Sequence, residues 1–238
     1  MNIKIKKIII YFLIVGLFIV FLSFRLVKES HYKMIDHNDK INLNESKKKY
    51  PAHLNIKMTF FPQAPYADWS LPYQEACEEA SVLLVANLFK KMNLDKDGFK
   101  TELLKLIEWE KTRFGDYKHT DVKQTELMIN EYFQLKTVLH ENPSFDLISS
   151  IIAKGNLIIA PFAGKLLENP YFKNGGPKYH MLVIKGYNIA NQEIITDDVG
   201  TRRGANFIYS WGNIRTALHD WDEDNMLNGK KIIIEVIP

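Results

Sequence analysis

Hydrophobic periodicity changes once along this chain, and the change limits the folds available to it. Before about residue 155, most apolar residues recur at helical spacing, as in Ala80 to Met92 and Phe99 to Arg113. After that point, short apolar runs are separated by turn residues, and the strongest run spans His180 to Tyr187. Helices followed by strands predict an α+β domain with an antiparallel sheet.

The predicted elements are short and bounded by turn residues. Predicted helices span residues 80–92, 99–113, 120–133, 144–154 and 214–219. Predicted strands span residues 54–61, 135–139, 157–162, 180–187, 193–196, 207–210 and 230–236. This order predicts that an N-terminal helical part packs on a C-terminal antiparallel sheet.

An unbroken apolar run from Ile8 to Phe24 does not fit that domain. As a helix it would extend about 26 Å, close to the thickness of the bilayer's hydrocarbon core. No small-x-small cleavage site follows it, so one transmembrane helix acting as a signal anchor over residues 1–28 is favoured over a cleaved signal peptide. Lysines before the run predict that the rest of the chain lies outside the membrane, on the extracytoplasmic side.

Residues 29–51 are polar and lack hydrophobic periodicity, so we expect a tether that leads to a folded domain over residues 52–238. Charge also separates the two parts of the chain. Residues 1–50 hold ten Lys/Arg and four Asp/Glu, and subtracting these from the totals of 31 and 28 leaves 21 and 24 in the remainder. The folded domain is therefore slightly acidic, and no nucleic-acid partner is expected.

Cys77 is the only cysteine, and it stands where a proline-rich loop gives way to the first predicted helix. A thiol at a helix N-terminus is favoured as the thiolate, which is the nucleophilic form. The next two residues, Glu78 and Glu79, would raise the pKa of the thiol. Side chains at those spacings on a helix are expected to point away from it. The alternative interpretation is a small buried apolar residue.

A thiol nucleophile needs a base and a group that orients the base. His180 is the histidine at the mouth of a buried strand. With the following turn centred at residues 189–190, His180 lies opposite residues 198–199, and such cross-strand Cβ atoms are about 5 Å apart. Asp198 then lies beside the imidazole, and a shift of one residue selects Asp197 instead. Alone, each residue also fits a structural role, a core histidine or a turn aspartate.

Four segments together resemble the exported bacterial branch of the bacteriocin-processing-type cysteine peptidases, a papain-like family. The segments are Gln63-Ala64-Pro65, Tyr73 to Ser81, Gly175 to Met181, and Thr196 to Gly204. The resemblance covers about residues 54–221, and it implies a papain-like cysteine protease fold. It also implies that Cys77 is the nucleophile, His180 the general base and Asp198 the orienting residue.

The resemblance further implies a glutamine that helps the backbone N–H of Cys77 to hold the oxyanion. Gln63 follows the first strand, as the family's glutamine does, but it stands fourteen residues before the cysteine and requires an inserted loop. Gln74 is closer but lies at the edge of the helix, so Gln63 is favoured and Gln74 stays as the alternative. The family pattern also has proline where this chain has Val199, and asparagine where it has Asp197.

These features predict a thiol-dependent hydrolase that cleaves peptide bonds in a peptide or protein substrate on the outer face of a bacterial membrane. The segment from Leu166 to Lys173 is expected to line its cleft. No cofactor is expected, and no metal site, because His119 and Asp121 alone do not make one. Acyl transfer to an amine and a non-catalytic binding module stay open as alternatives. The sequence leaves oligomeric state and cleavage specificity open.

Overall fold

In this computed structural model, which describes residues 50–238, seven strands pair antiparallel into one sheet. The strands are β1 His53–Asn55, β2 Lys136–Glu141, β3 Leu157–Ala163, β4 Tyr179–Asn188, β5 Glu193–Asp197, β6 Phe207–Ser210 and β7 Ile232–Ile237. Their order is β2-β7-β3-β4-β5-β6, and β1 pairs with β4. The predicted α+β class with an antiparallel sheet is confirmed.

Five α-helices accompany the sheet in the described part of the chain. They are α1 Cys77–Phe89, α2 Lys96–Phe114, α3 Val122–Leu127, α4 Phe145–Ala153 and α5 Trp211–Ala217. Four begin at a polar side chain: Asp95, Asp121, Ser144 and Ser210 each accept a hydrogen bond from the backbone N–H three residues on, at 2.7–3.1 Å. These bonds satisfy donors that a helix start leaves free, and so fix where α2, α3, α4 and α5 begin.

The first predicted strand is much shorter than expected. Residues 54–61 were expected to form a strand, but β1 ends at Asn55 and only the bond from Ile56 N to Lys185 O, 3.0 Å long, continues the pairing. The reason is competition for one edge of β4. Because β3 pairs with residues 179–184 of that strand, β1 is confined to residues 186–188.

Helix α1 runs through the interior rather than along the surface. The spacing of its apolar residues predicted one buried face, whereas every residue from Cys77 to Asn87 is buried. The helix packs on β4 and β3 and also against α2, so no face is left to solvent. Ser81 Oγ donates a hydrogen bond to Met181 O at 3.2 Å. This contact ties the start of the helix to the strand that carries His180.

A bulge in β4 sets the register of the hairpin that β4 forms with β5. Gly186 pairs with Ile195, but Ile184 pairs with Thr196, so Lys185 is the extra residue. The Lys185 ammonium lies 3.2 Å from Asp197 Oδ1, and both side chains are buried. Burial raises the pKa of Asp197, and the Asn206 N–H and Lys185 oppose the rise.

The predicted anchor over residues 1–28, and the predicted tether apart from its last two residues, lie outside the residues that the structure describes. Among residues 50–238, no helix combines the length and apolar character that crossing a membrane requires. The same residues contain no group of three or more His, Cys, Asp or Glu side chains placed to hold a metal ion.

Replacing Asp197 with alanine is expected to lower the free energy of unfolding by about 3–5 kcal/mol, because the Lys185 charge is then buried without a partner. The double variant Lys185→Met, Asp197→Ala removes both charges and is expected to recover most of that loss. Urea unfolding followed by circular dichroism measures both variants. An Asp197→Ala variant as stable as the parent chain would show that the ion pair does not stabilise the hairpin.

Candidate active site

A cleft of about 660 Å³ opens at the N-terminal end of α1. Cys77 and His180 both line it, and so does Gln63 from the segment that precedes the helix. The structure therefore brings the predicted nucleophile, base and oxyanion glutamine to one cavity. Part of the segment expected to line the cleft does so, through Tyr171, Phe172 and Lys173.

The imidazole of His180 is hydrogen-bonded to Asp198. His180 Nε2 lies 2.8 Å from Asp198 Oδ1, and the two residues are 1% and 0% exposed. Asp197, the alternative left open by the sequence, pairs with Lys185 instead. Of the two aspartates, Asp198 is thus the one that contacts the histidine.

The expected register of this hairpin is wrong, although the contact is present. The turn centres one residue later than expected, which moves each pairing partner two positions along the chain, and the bulge at Lys185 moves it back by one. Continued past the end of β5, this register sets Gly200 opposite His180, and an added Cβ atom at Gly200 would lie 2.7 Å from His180 Cε1. Asp198 reaches the ring diagonally, from the first position beyond β5.

Four donors hold the Asp198 carboxylate. Besides His180, Gly200 N donates to Oδ1 at 2.9 Å, while Tyr209 Oη and Asn169 Nδ2 donate to Oδ2 at 2.6 and 2.9 Å. Burial alone would raise the pKa of Asp198, but the charge of His180 and these hydrogen bonds lower it below its usual value. The carboxylate is therefore ionised and fixed in place.

Asn169 and Tyr209 were not identified from the sequence. They also contact each other, since Asn169 Nδ2 donates to Tyr209 Oη at 2.8 Å. One signal was available for Tyr209, because a tyrosine buried in a strand usually needs a partner for its hydroxyl. Nothing comparable pointed to Asn169.

An ionised carboxylate only accepts hydrogen bonds, so His180 Nε2 is the donor and Nδ1 is left as the basic nitrogen. Among residues 50–238, nothing hydrogen-bonds Nδ1. The Phe172 ring packs edge-on against the imidazole, with 5.3 Å between centroids and 81° between planes. The ring of His180 is thus held on one edge by Asp198 and on another side by Phe172, while the residue lines the cleft.

The thiol of Cys77 contacts a carboxyl group. Cys77 Sγ donates to Glu78 Oε2 at 3.0 Å, so the expectation that Glu78 points away is wrong. Glu78 is 1% exposed because α1 is buried on all sides, and its side chain turns back to the sulfur. Burial raises the pKa of Cys77 well above its usual value, and Glu78 raises it further, while a hydrogen bond from the Met181 backbone opposes both. In this state the helix dipole does not produce a thiolate.

Two further buried acids, Glu79 and Glu110, interact electrostatically with Glu78. Burial raises the pKa of Glu78 to about 8 and that of Glu110 to about 7, and it raises the pKa of Glu79 well above its usual value. Thr120 Oγ1 donates to Glu110 Oε1 at 2.9 Å. At neutral pH Glu78 is mostly protonated, and it becomes anionic before the more weakly acidic thiol ionises.

The two candidate glutamines are placed differently. Gln63 Nε2 donates to Tyr73 O at 2.8 Å and to Gln74 O at 3.0 Å, so both amide hydrogens are engaged. Gln74 is exposed, and its Nε2 donates to Glu75 Oε1 at 3.1 Å. To bind an oxyanion, Gln63 must exchange one of these bonds, whereas the bond to Glu75 uses only one of the two N–H groups of Gln74. The first backbone N–H groups of α1 have no intrahelical acceptor and so remain suited to that role.

Comparisons with known proteins identify a family and a solved structure to which this chain is similar. The model of the family described as "Peptidase_C39 like family" matches residues 54–223. A solved structure described as a C39-like peptidase from Bacillus anthracis is similar to this chain, with a TM-score of 0.52 and 12% sequence identity. That similarity covers 78% of this chain and 98% of the other, and it shows a shared fold. No curated protein matches the sequence.

Replacing Glu78 with glutamine is expected to lower the pKa of the Cys77 thiol, because it removes the negative charge present when the thiol ionises. The rate of iodoacetamide labelling, measured against pH, should therefore rise at lower pH than in the parent chain. Glu75→Gln is the matched control, since Glu75 also lines the cleft but does not contact the sulfur. An unchanged profile in Glu78→Gln would mean that Glu78 does not influence the thiol.

Proposed function

The chain belongs to the Peptidase C39-like family, and from that premise we propose that it is a cysteine peptidase whose catalytic residues are Cys77, His180 and Asp198. Family membership suggests cysteine peptidase activity. The observation that best supports this assignment is the buried His180–Asp198 hydrogen bond beside a cleft that also contains the only cysteine.

In the first half of the reaction, the Cys77 thiol exchanges its contact with Glu78 for one with His180 Nδ1. The proton passes to Nδ1 as the sulfur attacks the carbonyl carbon of the scissile peptide bond. The tetrahedral intermediate collapses to a thioester when the C–N bond breaks. The imidazolium gives its proton to the leaving amine, and Asp198 holds the ring in orientation throughout.

Hydrolysis of the thioester completes the cycle. His180 Nδ1 accepts a proton from water as the water oxygen attacks the thioester carbon. The C–S bond then breaks, the sulfur regains the proton, and a carboxylic acid is released. Because the resting thiol is buried and its pKa is raised, proton transfer to His180 during attack is favoured over a thiolate formed in advance.

Stabilisation of the oxyanion is proposed to come from the backbone N–H of Cys77 together with Gln63. Gln63 N donates to Val199 O at 3.0 Å, which ties its segment to the loop that follows Asp198. Its amide lies next to α1 through the bonds to Tyr73 O and Gln74 O. Releasing one of those carbonyls frees an N–H for the substrate oxygen.

We also propose that the protein belongs to the exported branch of this family and works at the outer face of a membrane. The support is the apolar run from Ile8 to Phe24 and the polar residues that follow it. Such a location would place the catalytic domain among extracytoplasmic peptides and proteins.

Replacing Cys77 or His180 with alanine is expected to abolish cleavage of an internally quenched peptide library, and Asp198→Ala to reduce the rate by about 10²–10⁴-fold. His53→Ala is the matched histidine control, because His53 is exposed and does not line the cleft. Thermal unfolding of each variant separates loss of catalysis from loss of fold. Undiminished cleavage by folded Cys77→Ala would refute the assignment, and products formed with an added amine acceptor would identify acyl transfer.

Cell fractionation tests the location. The full-length chain is expected in the membrane fraction, resistant to extraction by high salt and released by detergent. Recovery of a soluble protein shortened by about 25 residues would indicate a cleaved signal instead.

A further inference from the structure

Two loops border the imidazole of His180. One contains Phe172, whose ring packs edge-on against the imidazole. The other contains Gly200, where an added Cβ atom would lie 2.7 Å from His180 Cε1 and 3.0 Å from Phe172 Cε1. Both loops therefore lie on the imidazole side of the cleft, next to the ring that is proposed to accept and donate the proton.

Each of these loops carries cations into the cleft. Lys173 follows Phe172, and Arg202 and Arg203 follow Gly200; all three line the cleft and are exposed. The guanidinium of Arg203 lies 4.9 Å from the centroid of the Tyr171 ring, a contact that joins the two loops.

The arginine loop is held by its own hydrogen bonds. Asp198 N donates to Gly204 O at 3.0 Å, and Arg203 N donates to Thr201 Oγ1 at 3.2 Å. Within residues 50–238, no carboxylate forms an ion pair with Lys173, Arg202 or Arg203. Three cations on anchored loops are therefore available to a ligand.

Acidic side chains also line the cleft, beside the thiol. Glu75 lies two residues before Cys77 and Glu78 directly follows it, and Glu78 is engaged with the thiol. Charge is therefore uneven across the cleft: three cations lie on the imidazole side, whereas Glu78, beside the thiol, is mostly protonated at neutral pH. A substrate that carries a negative group is oriented by this field when it enters.

The mechanism decides which part of the substrate meets the cations. His180 protonates the leaving amine, so the residues after the scissile bond lie on the imidazole side. Resting on the proposed peptidase function, we propose that the cleft selects peptides bearing a carboxylate within the first few residues after the scissile bond. The carboxylate is either an Asp or Glu side chain or the peptide's own C-terminus. The guanidinium groups of Arg202 and Arg203 suit it because their planar forks can bind it through two hydrogen bonds.

The first test requires no peptide cleavage. Cys77 of the full-length chain is alkylated with iodoacetate, which carries a carboxylate, and with iodoacetamide, which is neutral. The rate with iodoacetate divided by the rate with iodoacetamide reports whether the cleft attracts a carboxylate. Reversing both arginines, Arg202→Glu with Arg203→Glu, is expected to lower the ratio by about threefold or more at low salt. Lys154→Glu, a charge reversal outside the cleft, should leave the ratio unchanged. An unchanged ratio in the double arginine variant would overturn the proposal.

The second test maps cleavage sites in a synthetic peptide library prepared with free and with amidated C-termini. In the parent chain, cuts are expected to be several-fold enriched before Asp, Glu or a free C-terminus, and the double arginine variant should lose the enrichment. Loss of cutting on amidation identifies the C-terminal carboxylate, and equal cutting identifies a side chain. Cleavage without enrichment would refute the carboxylate preference and leave the peptidase function standing. Absence of any cleavage would refute the peptidase function, and the alkylation ratio would still decide the preference.

Discussion

The hydrogen bond between His180 and Asp198 is the contact on which the rest of the site depends. It lies out of water, and a buried carboxylate is costly unless its lone pairs are satisfied. Tyr209, Asn169 and the Gly200 N–H supply the additional donors. The charge and hydrogen bond of His180, together with the bonds from Tyr209 and Gly200, lower the pKa of Asp198 despite its burial. The same arrangement requires glycine at position 200, since a side chain there would collide with the imidazole. The carboxylate, the ring and the loop that follows therefore form one unit.

Burial of α1 positions the proposed nucleophile and also raises the pKa of its thiol. The helix is enclosed by sheet and helix, which holds Cys77 at the cleft but leaves Glu78, Glu79 and Glu110 little access to water. Desolvation raises the pKa of all three acids, and the thiol donates to Glu78 instead of ionising. A thiol in such surroundings needs a base at the moment of attack, and His180, the proposed base, lines the same cleft.

Local patterns in the sequence were sufficient for the class of fold and for the proximity of His180 and Asp198. Hairpin geometry predicts that pair despite an incorrect register, which arises because the turn centres one residue later than expected and the bulge at Lys185 restores only part of the shift. The contact still forms because an aspartate side chain can reach a diagonal neighbour as well as a direct one. Long-range packing was not predictable in this way. It shortened β1, turned Glu78 towards the sulfur, and brought Asn169 from a separate loop to the carboxylate. Gln63 was suggested by family resemblance alone, and its hydrogen bonds depend on a loop whose path the sequence does not specify.

The central claim is that His180 accepts the proton of Cys77, and the rate of Cys77 alkylation by iodoacetamide at neutral pH tests it without a substrate. Labelling is expected to be slower by about tenfold or more in a folded His180→Ala variant than in the parent chain, because the thiol loses its base and keeps its proton. Equal labelling rates in the two proteins would show that His180 does not activate the thiol, and would contradict the account.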